Sequence, residues 1–155
     1  MVKAGDKAPD FCVDGIDKDG KEQEFCLSDA LKYKKQIILY FYPKDNTPGC
    51  TQEACDFRDN INRLTSKAMV FGISRDSIAS HVKFKEKQGL NFPLLSDPAH
   101  QVLEMYGAWG EKKMYGKSVA GIIRTTVLID NDGRIKKVWN NVKVKGHVDE
   151  VLAEL

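Results

Sequence analysis

The run Gln36-Ile-Ile-Leu-Tyr-Phe41 constrains the fold more than any other stretch of the chain. It is short, apolar at consecutive positions and bounded by polar residues, which is the pattern of a strand buried on both faces. Such a strand lies inside a sheet with helices packed above and below it. Ala68-Met-Val-Phe-Gly-Ile73 is a second run of the same kind. Between the two, the pattern predicts a helix from about Pro48 to Leu64, because Phe57, Ile61 and Leu64 fall at i, i+4 and i+7 and form one apolar face.

The remaining segments extend this alternation. Asp17-Lys-Asp-Gly20 is a turn signal between two short extended stretches, predicting an N-terminal hairpin over Phe11 to Leu27. Ser28 to Leu31 reads as a short helical turn, Ser77 to Gln88 as a helix ending before Gly89, and Pro98 to Tyr106 as a shorter helix. Thr125 to Ile129 and Ile135 to Trp139 flank Asn131-Asp-Gly133, a strong hairpin turn signal, and His147 to Leu155 closes the chain as a helix. There is no internal repeat and no low-complexity linker, so residues 1–155 are expected to form one domain. Alternation first and a hairpin last predicts an α/β, thioredoxin-like fold, with a central mixed β-sheet flanked by helices and an N-terminal β-hairpin.

Charge excludes some partners. Lys and Arg number 24 against 22 Asp and Glu, a net charge of +2 that gives no support for nucleic acid or a membrane surface. The local basic clusters, such as Lys143 to Lys145, suit solvated edges. The first residues contain no apolar stretch suited to a signal peptide, and no run approaches the ~20 apolar residues of a membrane helix. A cytoplasmic setting is expected. Four cysteines in a reducing compartment are expected to be buried thiols, metal ligands or redox groups rather than structural disulfides.

The segment Pro43-Lys-Asp-Asn-Thr-Pro-Gly-Cys50-Thr-Gln-Glu-Ala-Cys55 carries the chemistry. Pro48 suits the first helical position and Thr47 the N-cap, which puts Cys50 at about the third position. Backbone N–H groups there lack intrahelical partners and the helix dipole favours negative charge, so the position stabilises a thiolate. The same residues also suit an ordinary helix start with Cys50 as a small buried side chain. Cys55 follows five residues later. Helix geometry separates the two Cα atoms by about 8.6 Å, beyond the ~6.8 Å reach of a disulfide, so the pair bonds only if the helix start unwinds. Cys55 as a buried hydrophobe on the inner face is the plainer alternative. There is no Cys-x-x-Cys pair, which disfavours a thioredoxin-type dithiol or a zinc ribbon. Cys12 and Cys26, in the hairpin strands, read as buried thiols.

The segment resembles the active-site motif of the peroxiredoxins, with Pro43, Thr47 and Cys50 at the characteristic spacing. More narrowly, Thr47 to Arg58 is similar to the bacterioferritin-comigratory or peroxiredoxin Q subfamily. Ala8 to Phe11, Phe92 to Asp97, Tyr106 to Gly116, Gly121 to Thr126 and Val142 to His147 are similar to it as well, so the likeness spans nearly the whole chain. Cys12 and Cys26 depart from the catalytic pattern.

The resemblance implies a thioredoxin-dependent peroxidase of the atypical two-cysteine kind. Cys50 would be the peroxidatic cysteine and Cys55 the resolving one. Thr47 would hydrogen-bond the thiolate and the peroxide, Pro43 would shield the sulfur, and Arg124 would supply a fixed positive charge. The substrates would be hydrogen peroxide and organic hydroperoxides, recycling would use thioredoxin or a glutaredoxin-like dithiol, and the molecule would be a monomer. No metal, haem or flavin cofactor is implied. A general thiol–disulfide oxidoreductase and a redox-sensing protein are the competing readings. His81, His100 and His147 read as surface or capping residues, Trp109 and Trp139 as packing residues, with Trp109 in a loop that could border the site.

Overall fold

The computed structural model describes residues 2–155; Met1, the first residue of the N-terminal stretch discussed above, lies outside them. The N-terminal hairpin pairs β1 (Cys12–Ile16) with β2 (Glu22–Cys26), and α1 (Leu27–Leu31) follows. Then come β3 (Gln36–Phe41), α2 (Pro48–Asp59), α3 (Ile61–Thr65), β4 (Ala68–Ser74), α4 (Ile78–Gln88), β5 (Leu94–Ser96) and α5 (Gln101–Met105). A hairpin of β6 (Trp109–Met114) and β7 (Lys117–Ile122) precedes β8 (Thr125–Ile129), β9 (Ile135–Trp139) and α6 (His147–Ala153). Seven strands form one mixed sheet in the order β2-β1-β5-β4-β3-β8-β9. β3, β4 and β5 run parallel, and the outer strands pair antiparallel. Helices flank both faces, which is the thioredoxin-like layout expected from the sequence.

The apolar runs explain why two cores form. Successive side chains of a strand point to opposite faces. In β3, Ile37, Leu39 and Phe41 enter a core with Leu27 of α1 and Val102 and Leu103 of α5. Ile38 and Tyr40 enter the other, with Cys50, Ala54 and Phe57 of α2, Phe84 of α4 and Val148 and Val151 of α6. Tyr40 stacks on Phe57 with ring centroids 4.4 Å apart. A Cβ at residue 72 would stand 2.8 Å from the Tyr40 ring, so Gly72 makes the room that this stacking needs.

The departures from the expected elements have local causes. The helix expected from Pro48 to Leu64 breaks at Asn60, whose side-chain amide donates to Asp56 O (2.8 Å) and closes α2, while its own carbonyl accepts from Leu64 N and opens α3. This is the competition between an Asn side chain and the helical backbone. The helix expected over Pro98–Tyr106 is confined to Gln101–Met105, because the Asp97 carboxylate caps it by accepting from Gln101 N and Leu103 N. The short β5 and the β6–β7 hairpin were not expected. β5 has three residues, too few to show a period. β6 and β7 show no clean apolar alternation, and their turn, Tyr115-Gly116, has positive φ at both residues without the usual Asn-Gly or Asp-Gly signature.

Cys12 and Cys26 are not buried thiols. They are directly opposed across β1 and β2, with Cα atoms 4.1 Å apart, and are joined by a disulfide. Cys12 is exposed and Cys26 half-buried. The expectation failed because β2 is an edge strand, so the end of the hairpin has no second layer over it.

Phe57 fills the space between α2 and the sheet with no exposed surface. Phe57→Ala is expected to cost about 3–5 kcal/mol, read in urea denaturation as a lower midpoint at unchanged m-value.

Candidate active site

The register between β3 and β8 assembles the site. Phe41, the last residue of β3, pairs with Thr125, the first of β8, so Arg124 stands just beyond the strand end where the chain leaves for α2. Val142 N donates to Arg124 O (3.0 Å) and holds that backbone. The guanidinium then forks. Nη2 donates to Cys50 Sγ at 3.3 Å and Nη1 to Glu53 Oε1 at 2.6 Å. Gly49 permits the approach, since a Cβ there would meet Nη2 at 3.3 Å.

Cys50 occupies the third position of α2, after Thr47 at the N-cap and Pro48 at the first position, and only 2% of its surface is exposed. Its thiol is free. The sulfur therefore lies at a helix start with no acidic residue in its first turn and beside the Arg124 guanidinium. Thr47 does not cap the helix with its side chain; the hydroxyl donates to Lys44 O at 2.8 Å, leaving its oxygen lone pairs as acceptors. Pro43 is half-buried at the start of the same loop. Cys55 lies on the intact α2, half-buried, with Sγ 3.7 Å from Gln88 Oε1. It is also free, and stands five positions along the helix from Cys50.

Two residues near the sulfur were not anticipated. Glu53 is 1% exposed, and burial pushes its carboxyl up from 4.5 to about 7 although Arg124 opposes the shift. Its Oε2 has no hydrogen-bond partner among the described residues. The spacing Cys50-x-x-Glu53 places both on one helix face and was the available signal. Lys112 of β6 is half-buried; burial and then Arg124 hold its pKa down, while Cys50 draws it up, so its charge faces the same site.

The loop leading to Cys50 is anchored from below. Asp45 is buried and accepts from the Tyr42 hydroxyl (2.6 Å) and the Ser80 hydroxyl (2.8 Å). His81 Nδ1 lies 2.8 Å from Asp45 Oδ2, and Nε2 lies 2.9 Å from Leu95 O. The Asp45 N–H donates to Asp76 (2.8 Å). The loop is thereby tied to α4, β5 and the turn between β4 and α4. This corrects the reading of His81 as a surface or capping residue: it is fully buried. His147 is buried too, with Nε2 2.8 Å from Thr126 Oγ1, and burial lowers its pKa against the pull of Glu150. His100 does stand at the N-cap of α5, where its ring stacks on Trp109 at 4.1 Å. Trp109 opens β6 rather than lying in a loop, and Arg75 covers its ring at 5.1 Å.

The model of the family described as AhpC/TSA matches residues 4–138. The chain belongs to the AhpC/TSA family, among its peroxiredoxins of the Bcp/PrxQ type. It is 49% identical over 155 residues to a putative peroxiredoxin bcp of Coxiella burnetii, covering 99% of each chain. A cysteine-to-serine mutant of PrxQ from Xylella fastidiosa superposes with a TM-score of 0.86 at 37% identity, over 99% of this chain and 95% of that one. A trapped intermediate or ligand complex of the bacterioferritin comigratory protein of Xanthomonas campestris, described for its alkyl peroxide reduction, matches with a TM-score of 0.78 at 38% identity, over 91% and 88%. In this peroxiredoxin no helix is long and apolar enough to cross a membrane, among the described residues.

The raised Glu53 carboxyl has a consequence for stability. The folded protein holds a proton that the unfolded chain releases above pH 4.5, so stability falls as pH rises from about 4.5 to about 7 and levels off above. The change is on the order of 3 kcal/mol. Glu53→Gln is expected to flatten that segment of a plot of unfolding free energy against pH; an unchanged slope would show that Glu53 is ionised throughout.

Proposed function

We propose that residues 1–155 act as one unit, reducing hydrogen peroxide and organic hydroperoxides through Cys50. The observation that carries this reading is the Arg124 fork between Cys50 Sγ and the buried Glu53 at the start of α2. The Cys50 thiolate attacks the nearer peroxide oxygen and the O–O bond breaks. That oxygen stays on sulfur as a sulfenic acid, and the other leaves as water or an alcohol after taking a proton. The fixed charge of Arg124 stabilises negative charge moving from sulfur onto oxygen, and a guanidinium already held by Glu53 needs no reorientation to do so. Thr47, with its own proton committed to Lys44, acts as the acceptor that orients the peroxide O–H. Pro43 shields the sulfur from water.

Cys55 then attacks the sulfenic sulfur, releasing water and closing a Cys50–Cys55 disulfide. The start of α2 has to unwind for this, at a cost of roughly 1 kcal/mol per backbone hydrogen bond lost. The far end of the helix keeps its tie to α4 through Arg58, which donates to Gln88 O at 2.5 Å. A dithiol of the thioredoxin or glutaredoxin type returns the pair to thiols, by transfer of two electrons and two protons. We assign the protein to the cytoplasm, where such dithiols are kept reduced, and to the monomeric state. The burial of Cys50 disfavours general exchange with the disulfides of other proteins, whereas a peroxide is small enough to enter.

The test is one equivalent of hydrogen peroxide added to reduced protein, followed by thiol counting. Rapid loss of the Cys50 and Cys55 thiols together is expected, and none of this loss in Cys50→Ser. Cys55→Ser is expected to react once and stop at the sulfenic acid.

Arg124→Lys keeps the charge but cannot bridge Cys50 and Glu53. Losing a charge-assisted hydrogen bond of about 1.5–3 kcal/mol predicts a rate of reaction with peroxide lower by roughly 10- to 150-fold. Stopped-flow fluorescence measures it, and a rate within twofold of the parent would remove Arg124 from the mechanism.

Hydrogen exchange compared between the reduced and oxidised proteins reads the unwinding directly. Protection from Cys50 to Phe57 is expected to fall on oxidation, while the β3 amides stay protected.

A further inference from the structure

The Cys12–Cys26 disulfide has no part in the cycle above, and its position makes it a separate site. Four inter-strand steps separate β2 from β3, the strand that leads to Cys50. At ~4.8 Å per step that is about 19 Å across the sheet for Cys26, and about 14 Å over three steps for Cys12 on β1, too far for either sulfur to reach Cys50 in the folded molecule. The bond is also redundant as a fastening. Five residue pairs hold β1 to β2, and β1 is paired on its other side to β5. Asp17 closes the turn by accepting from Asp19 N (2.8 Å) and Lys21 N (2.9 Å). Below the cysteines, Leu27 N donates to Phe11 O (3.0 Å) and Ser28 N to Asp10 Oδ1 (3.1 Å). Opening the S–S bond removes none of these.

The two sulfurs differ in surroundings. Cys12 is exposed at the outer end of the hairpin, so an attacking thiolate can approach its Sγ from solvent. Cys26 is half-buried and borders a cleft of about 420 Å³. Its Sγ lies 3.9 Å from Glu24 Oε1, a carboxylate that repels an anionic attacker but can accept the S–H of a reduced Cys26.

We propose that Cys12 and Cys26 form a second, reversible dithiol–disulfide couple of this chain, independent of Cys50 and Cys55. A thiolate of an external dithiol attacks Cys12 Sγ, the S–S bond breaks, and Cys26 leaves as a thiolate that takes a proton from water. The second thiol of the reductant then displaces Cys12, so the reductant leaves as a disulfide and both cysteines are thiols. Peroxide closes the couple again. The exposed Cys12 thiolate attacks the O–O bond, giving a sulfenic acid and water. Cys26 displaces a second water to restore the S–S bond. Among the described residues no guanidinium is bonded to Cys12 as Arg124 is to Cys50, so this oxidation is slow and the couple records peroxide that the faster site has not consumed.

Cys50→Ser/Cys55→Ser protein isolates the couple and leaves the test independent of the peroxidase reading. It is equilibrated with graded ratios of reduced to oxidised dithiothreitol, quenched in acid, alkylated and weighed intact. Species with zero or two alkyl groups are expected, interchanging across the series at unchanged circular dichroism. Hydrogen peroxide should return the two-group species to zero, at least 100-fold more slowly than the parent Cys50 reacts. Zero groups at every ratio, with two appearing only in denaturant, would make the bond a permanent staple and overturn the proposal. Two groups at every ratio, or thiols that peroxide does not close, would overturn it as well. Cys12→Ser/Cys26→Ser is expected to fold and to turn over peroxide within twofold of the parent; loss of the fold would again identify a staple.

Discussion

The arrangement of the whole site depends on one half-buried guanidinium. Arg124 is a permanent charge with a planar fork, and it is placed where it can donate to a sulfur and a carboxylate together. Burying such a charge costs several kcal/mol unless it is paired, and Glu53 supplies the pairing from within the same helix as Cys50. The helix that carries Cys50 therefore also supplies the counter-charge that fixes the guanidinium beside it. Glu53 bears part of the cost, since burial pushes its carboxyl up to about 7.

A second buried pair supports the first. In the proposed cycle the loop from Tyr42 to Thr47 has to stay in place while the helix after it unwinds and reforms. Asp45 ties that loop to α4 through His81 and Ser80 and, by way of His81, to β5. The anchor binds the loop through Asp45, whereas Cys50 lies on the helix that follows. The mobile part of the proposed cycle is thus separated from the part that holds Pro43 and Thr47. Cys55 meets α4 at its other end, beside Gln88, so one helix supports both the loop and Cys55.

Much of this was legible in the sequence where the signal is local. β3 runs from Gln36 to Phe41 as the apolar run predicted, and the β8–β9 hairpin falls on either side of Asn131-Asp-Gly133. Pro48 does open α2, which puts Cys50 where the orphan N–H groups are. The failures share a cause. β6 and β7 lack alternation because much of the hairpin faces solvent, and His81 read as a surface residue because an isolated histidine on a helix carries no mark of the aspartate it will meet 36 residues away in the chain. Glu53 was passed over because a glutamate inside a helix is ordinarily solvated.

The sequence by itself determined the strand, the helix start, the position of Cys50 on it and the five-residue interval to Cys55, since each follows from periodicity, capping and helix geometry over a few neighbouring residues. Only the tertiary structure decided that Arg124 meets Cys50, that Glu53 is buried beside both, that His81 holds the loop, and that Cys12 and Cys26 face one another at an open edge. Those contacts follow from strand order and register. These are set by the packing of two cores against one sheet, and no short stretch of sequence encodes which residue will stand across from which.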